Sequence, residues 1–220
     1  VGVILARWTS GADAIHMVYP LMSGFALLGP FAAIGLYEIS RRRELGIDAS
    51  WKHAFEVRHS PAVPSIIVIG IMLVVLFLIW LFAAQSIYTA IYGAQAPASV
   101  TGFLKDVLGT ERGWKLILYG NLAGFVFALI ALATTVVAFP LLLDRDVGAV
   151  AAVETSARAL MTNPGPMILW GLIVAVLLVI GSIPLFAGLA VVVPILGHAT
   201  WHLYRKVVEP ERGEPLRRPM

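Results

Sequence analysis

His198 and His202 are four residues apart, one turn of a helix, and so fall on one face of a helical segment. Two imidazoles placed this way can bind a metal ion. The competing reading is an interfacial pair at a helix end that bonds to backbone or lipid headgroups. No Glu follows His198, so the His-Glu-x-x-His metalloprotease pattern is absent. A pair on one helix cannot supply both axial ligands of one haem. A second helix would have to contribute, and His53 or His59 falls on the same side. Ligand number and supporting shell both fall short. His198 and His202 therefore stand as marginal candidates, and no metal or haem cofactor is assigned.

The other reactive groups have plain readings. His16 near Asp13 reads as a solvated loop pair. Glu38, one turn before Arg41, Arg42 and Arg43, reads as a structural ion-pair partner rather than a proton carrier. The apolar stretches contain no acid or base in their interiors; their polar groups are neutral, such as Gln85, Ser86, Thr89, Asn121, Thr134 and Thr135. Pumps and ion-coupled carriers often use buried titratable groups. A passive path for a neutral solute, lined by Gln85, Asn121 and Thr134, stays open. No phosphate-binding Gly-x-x-x-x-Gly-Lys loop, Gly-x-Ser-x-Gly elbow or pair of catalytic carboxylates is evident. The chain has no cysteine, which excludes disulfides, thiolate zinc sites and Cys nucleophiles. No catalytic residue is assigned.

The elements that must position these residues are membrane helices. Of 220 residues 59% are hydrophobic and 13% charged, against about 25% charged in a soluble domain. Mean hydropathy is +0.87. A soluble fold of this size would leave large apolar patches exposed, a problem that a lipid bilayer removes. The net charge of +3 does not suggest nucleic acid, because the basic residues sit at the ends of apolar runs, as orientation signals do.

A span needs about 20 predominantly apolar residues. Full spans are expected at 19–40, 62–93, 115–143, 166–180 and 183–204, and residues 1–6 read as the tail of a first, truncated one. Gly29-Pro30 predicts a kink in the 19–40 span. No charge occurs between Arg158 and Arg205, and Gly181-Ser-Ile-Pro184 divides that stretch into two short spans. The segments 41–61, 144–165 and 205–220 hold twelve of the 16 Lys and Arg; the segment 94–114 and the remaining side hold four. This puts the Arg41 side and both termini in the cytoplasm. Trp8, Tyr19, Tyr88, Tyr92, Trp114, Tyr119, Trp201 and Tyr204 fall where aromatic belts form. The whole chain reads as one all-α, polytopic transmembrane bundle of about six spans.

The two cytoplasmic connections resemble each other. Each has a charged cluster, then Gly46 or Gly148, then a short helix, then Pro61 or Pro164 and an outgoing span. This order suggests a parallel internal repeat. The connecting helices are amphipathic and expected at the membrane surface. Trp51, Ala54 and Phe55 are the apolar side of the first; Val150, Val153, Ala157, Leu160 and Met161 form a stripe on the second. On the opposite side Phe103, Leu104, Val107 and Leu108 form a smaller stripe that would rest on the bilayer or cover a partner. Gly24, Gly29, Gly120 and Gly124 allow close helix approach, within the chain or against another subunit.

Four stretches carry a family resemblance: Ser23–Pro30, Gly35–Arg42 (Gly-Leu-Tyr-Glu-Ile-Ser-Arg-Arg), Pro140–Asp146 (Pro-Leu-Leu-Leu-Asp-Arg-Asp) and Pro194–Arg205 (Pro-Ile-Leu-Gly-His-Ala-Thr-Trp-His-Leu-Tyr-Arg). With these the chain resembles an uncharacterised family of proteobacterial integral membrane proteins, a domain of unknown function. Members are sometimes mislabelled cytochrome c oxidase subunit I, but the haem–copper pattern of histidines on several helices is not here. The resemblance implies a bacterial inner membrane and six spans, and no catalytic residue. Together these features suggest a non-catalytic accessory subunit, or an assembly or stabilising factor, of a larger energy-transducing complex. Its partners would be lipid and other membrane subunits. A small-molecule transporter or channel, and a haem- or metal-binding protein using His198 and His202, are the alternatives.

Overall fold

The computed structural model describes residues 16–17, 19–21, 33–94, 97, 99–183 and 187–208. No strand occurs among them. In chain order the elements are α1 (Ile34–Glu44), a 3₁₀ helix (Trp51–His59), α2 (Val63–Tyr92), α3 (Val100–Gly109), α4 (Glu111–Thr135), α5 (Ala138–Asp144), α6 (Ala149–Thr162), α7 (Pro164–Ser182) and α8 (Leu189–Val207). Among the described residues three stretches are long and apolar enough to cross a membrane: Val63–Tyr92, Glu111–Asp144 and Pro164–Ser182. They overlap the spans expected at 62–93, 115–143 and 166–180. The span expected at 183–204 overlaps α8, which carries His198 and His202 and has Arg205 and Lys206 in its last turn. The expected kink at Gly29-Pro30, and the residues Gly24 and Gly29, lie outside the described residues.

Helix ends follow local chemistry. After α1, Gly46 N–H donates to Arg43 O and Ile47 N–H to Arg42 O, both at 3.1 Å. Gly46 has φ +70°, where a Cβ is costly, so this is a glycine-dependent Schellman stop. Pro164 opens α7 at a position whose N–H has no helical partner anyway. The long stretch Glu111–Asp144 is broken at Val136–Val137, between α4 and α5. Pro140 accounts for the break: it has no N–H to give to the carbonyl four residues earlier, that of Val136. The Val137 N–H left outside the ladder donates to Ser156 Oγ at 3.2 Å.

The described residues fall into two compact units, one within Val1–Gly29 and Ile71–Ala131, the other within Pro30–Gly70 and Leu132–Met220. In the first, the buried Trp80 lies against Phe127, ring centroids 5.6 Å apart, and donates from Nε1 to Pro20 O at 2.9 Å. A Cβ at Gly124 would come within 3.3 Å of the Trp80 ring, so this glycine serves packing within the chain. At Gly120 an added Cβ meets no described atom within 4 Å.

In the second unit α1 touches the 3₁₀ helix, α5 and α8. Two glycines set the approach. A Cβ at Gly35 would lie 3.0 Å from Ala54 Cβ, and one at Gly197 would lie 2.8 Å from Leu36 Cβ. Packed α7 and α8 bring Gly188 to Gly181: a Cβ on Gly188 would stand 2.8 Å from Gly181 O. Helix α6 docks on α5 through small residues. Its buried face is Ala152, Ser156 and Ala159, whereas Val150 and Met161 are 81% and 70% exposed. The docked side is made of small residues, which let α6 approach α5 closely, and the larger apolar residues stay outside.

Candidate functional site

In the second unit the sequence places a charged cluster at the C-terminal end of each of three helices: Arg41–Glu44 on α1, Asp144 on α5, and Arg205 on α8. The fold brings the three ends together. Arg205 donates from Nε to Glu44 Oε2 and from Nη1 to Asp144 Oδ2, both at 3.0 Å. Trp201 Nε1 donates to Glu44 Oε2 at 2.7 Å, and Tyr204 OH to Asp144 Oδ2 at 2.5 Å. The guanidinium carbon lies 5.5 Å from the Trp201 ring centre and 5.8 Å from that of Tyr204. Trp201 and Tyr204 are fully buried. They are therefore interior walls of a polar clasp and not members of an aromatic belt. A carboxylate shielded from water is tolerated when donors surround it, as at Asp144, and the more exposed Glu44 likewise has a guanidinium and an aromatic N–H.

Glu38 is a second anchor in the same unit. It is buried, and both oxygens accept: Arg41 Nε reaches Oε2 at 2.9 Å, while Arg41 Nη2 and Arg42 Nε reach Oε1 at 3.0 and 2.9 Å. This realises both pairings expected for Glu38. Hydrogen bonding to Glu38 raises the Arg41 pKa and keeps its charge fixed. Arg42 also donates from Nη1 to Asp48 O at 3.2 Å and from Nη2 to Glu56 at 2.5 Å.

His198 and His202 part company. His198 Nδ1 lies 2.6 Å from Ser40 Oγ, whose hydroxyl donates to Leu36 O at 2.9 Å. That assignment makes His198 Nδ1–H the donor to Ser40. His202 is exposed. Among the described residues no group of three or more His, Asp and Glu is placed to hold a metal ion.

The first unit organises the other candidates. Asp13 of the expected His16–Asp13 pair lies outside the described residues; His16 Nε2 bonds Gln85 Oε1 at 2.8 Å and its ring stacks on Tyr88 at 4.0 Å. Tyr88 stacks in turn on Tyr92 at 5.3 Å, and Arg112 caps Tyr92 at 4.9 Å. Tyr19 OH donates to Asn121 Oδ1 at 2.8 Å. Two of the three residues proposed to line a solute path thus hold side chains from 16–21.

Helix α3 is fixed onto this column. Ser99 caps its first turn, accepting from Gly102 N–H at 3.1 Å. Phe103 meets Tyr88 and Tyr92 edge-on at 6.1 and 5.8 Å. Asp106 takes two bonds from Arg112, 2.9 and 2.7 Å, which hold its carboxyl below the ordinary carboxylate pKa. A Cβ on Gly113 would collide with the backbone of Val107 and Asp106, so only glycine lets α4 start this close to α3. With Phe103 against the tyrosine column and Val107 half-buried, Val100, Leu104 and Leu108 recur every four residues as an outer ridge, 43%, 51% and 64% exposed. Of the stripe expected from the sequence, Phe103 and Val107 are half-buried and Leu104 and Leu108 exposed.

Nothing matches the chain among curated proteins or among solved structures. A family model described as a predicted integral membrane protein (DUF2189) matches residues 18–144. That match includes the α1 and α5 arms of the clasp and ends before α8.

Proposed function

The chain belongs to the DUF2189 family of predicted integral membrane proteins, and from that premise we propose that it is a non-catalytic accessory subunit, or an assembly or stabilising factor, of a larger energy-transducing complex in a bacterial inner membrane. The observation that carries this reading is the ridge Val100–Leu104–Leu108 on α3. The segment 94–114 joins two apolar stretches and is too polar to cross with them. An amphipathic helix there is free to fold its apolar residues inward, yet this one exposes three of them. It is also held rigid by a cap, a bidentate ion pair and an aromatic column. A rigid apolar ridge is what a partner's surface needs, because little ordering entropy is left to lose on contact. In this reading the Arg-rich clasp faces the cytoplasm, by the Lys and Arg count, and α3 faces the periplasm.

The test is photocrosslinking in native membranes from a photoreactive residue at Leu104 or Leu108. Specific crosslinks to one membrane protein, lost in the Leu104→Ser/Leu108→Ser double variant when the probe sits at Val100, support the reading. Crosslinks to lipid alone at all three positions oppose it.

A further inference from the structure

The 3₁₀ helix Trp51–His59 repeats every three residues, so Lys52, Phe55 and Arg58 share one edge. Trp51 and Phe55 are 69% and 65% exposed and meet edge-on at 6.3 Å. Lys52 and Arg58 are exposed beside them. Below this edge lies a recess of about 470 Å³, with Arg41, Arg42 and Arg58 facing Glu38 and Glu56 and with Leu143 in its wall. Three guanidinium groups against two carboxylates leave the recess with one excess positive charge. Arg42 is consumed by Glu38, Glu56 and the Asp48 carbonyl, and Arg41 is bound to Glu38 through Nε and Nη2. Arg58 makes no ion pair with a described residue and supplies the excess.

We propose that this recess binds the phosphate headgroup of an anionic phospholipid, with Arg58 and the free side of Arg41 as its cations. The wall residues Val57, Pro61 and Leu143 take the start of the acyl region, and Trp51 and Phe55 enter the interfacial layer beside it. Charge, shape and setting agree on this occupant. A soluble anion would use the cations and leave the apolar wall and the exposed aromatic pair uncovered. A zwitterionic lipid would cover the apolar surface and leave the excess charge unmatched. Basic pockets at the ends of membrane helices are the general setting for anionic headgroups, and aromatic side chains prefer the same layer.

The full chain is purified in mild detergent and titrated with phosphatidylglycerol and with phosphatidylcholine of identical acyl chains, and bound lipid is counted by native mass spectrometry. Phosphatidylglycerol is expected to be retained in preference. Arg58→Gln, a change at an exposed side chain that leaves every described ion pair intact, should weaken it roughly fivefold, the value of one cation near an anionic surface. Phe55→Ser should weaken both lipids, and Arg158→Gln, on the exposed side of α6, should weaken neither. Equal retention of the two lipids, or unchanged binding in Arg58→Gln, overturns the proposal. Displacement of the lipid by excess inorganic phosphate or glycerol phosphate as effective as displacement by phosphatidylglycerol also overturns it, and marks a site for a free anion.

Discussion

Arg205 Nη1 donates to Asp144 Oδ2 at 3.0 Å, across 61 residues of sequence, and so ties the end of α8 to the end of α5. The same guanidinium holds Glu44 at the end of α1. One side chain therefore fixes three helix ends whose sequences are far apart. Removing it leaves the half-buried Asp144 with the Tyr204 hydroxyl and a looser Arg145 contact at 3.8 Å, while the exposed Glu44 falls back on water and Trp201. Arg205→Ala is expected to lower stability by about 1–2 kcal/mol, the scale for losing a charge-assisted hydrogen bond to the half-buried Asp144. Arg205→Lys should recover only part of this, since an ammonium cannot serve both carboxylates in a fixed fork. Thermal unfolding of the detergent-solubilised chain measures both.

Ser156 is fully buried and accepts from the Val137 N–H at the break between α4 and α5. Ser156→Ala keeps the small docking face of α6 and removes the acceptor. The expected cost is about 1–3 kcal/mol, that of an unsatisfied buried donor. Ser156→Val adds overpacking at the same contact and should cost more. Unfolding midpoints of the two variants, compared with the parent, test the order.

Much of this arrangement is legible in the sequence, and the rest fails for identifiable reasons. Pro164, Gly46 and the Gly181–Pro184 break mark element ends because their causes are local backbone rules. Trp201 and Tyr204 mislead, since aromatic residues beside a terminal Arg look the same in an interfacial belt and in a buried clasp. The signal available was three charged helix ends of mixed sign, Glu44, Asp144 and Arg205; which of them meet is a tertiary fact. The docked face of α6 is hidden for a related reason. Hydrophobicity marks Val150 and Met161, but close packing on α5 selects the small residues Ala152, Ser156 and Ala159. His16 pairs with Gln85, 69 residues away, and no local pattern announces it.

Gly113 sits where any Cβ meets the Val107 and Asp106 backbone. Gly113→Ala is expected to push α3 away from the start of α4 at a cost of about 1–3 kcal/mol, the range for overpacking. The exposed Lys105 on α3 then becomes a faster site of tryptic cleavage. Cleavage at the parental rate would show that α3 is not held by this contact.

The docking of α3 also has a pH signature. Arg112 lowers the pKa of Asp106, so this pair contributes stability that is fully present above the ordinary carboxylate range. The contribution is lost as pH falls through the depressed value of Asp106. Hydrogen exchange of α3 amides should accelerate in that acid range in the parent. In Asp106→Asn, exchange should already be fast at neutral pH and lack this acid step. A parent α3 equally protected across the whole range contradicts the assignment.

The most direct test of the accessory-subunit reading is gentle extraction from native membranes, native-gel separation and mass spectrometry of the band that contains this chain. Stoichiometric co-migration with a large membrane complex is expected, together with reduced assembly or stability of that complex when the gene is deleted. Migration alone or as a homo-oligomer, with the membrane complexes unchanged by deletion, would contradict it and turn attention to transport.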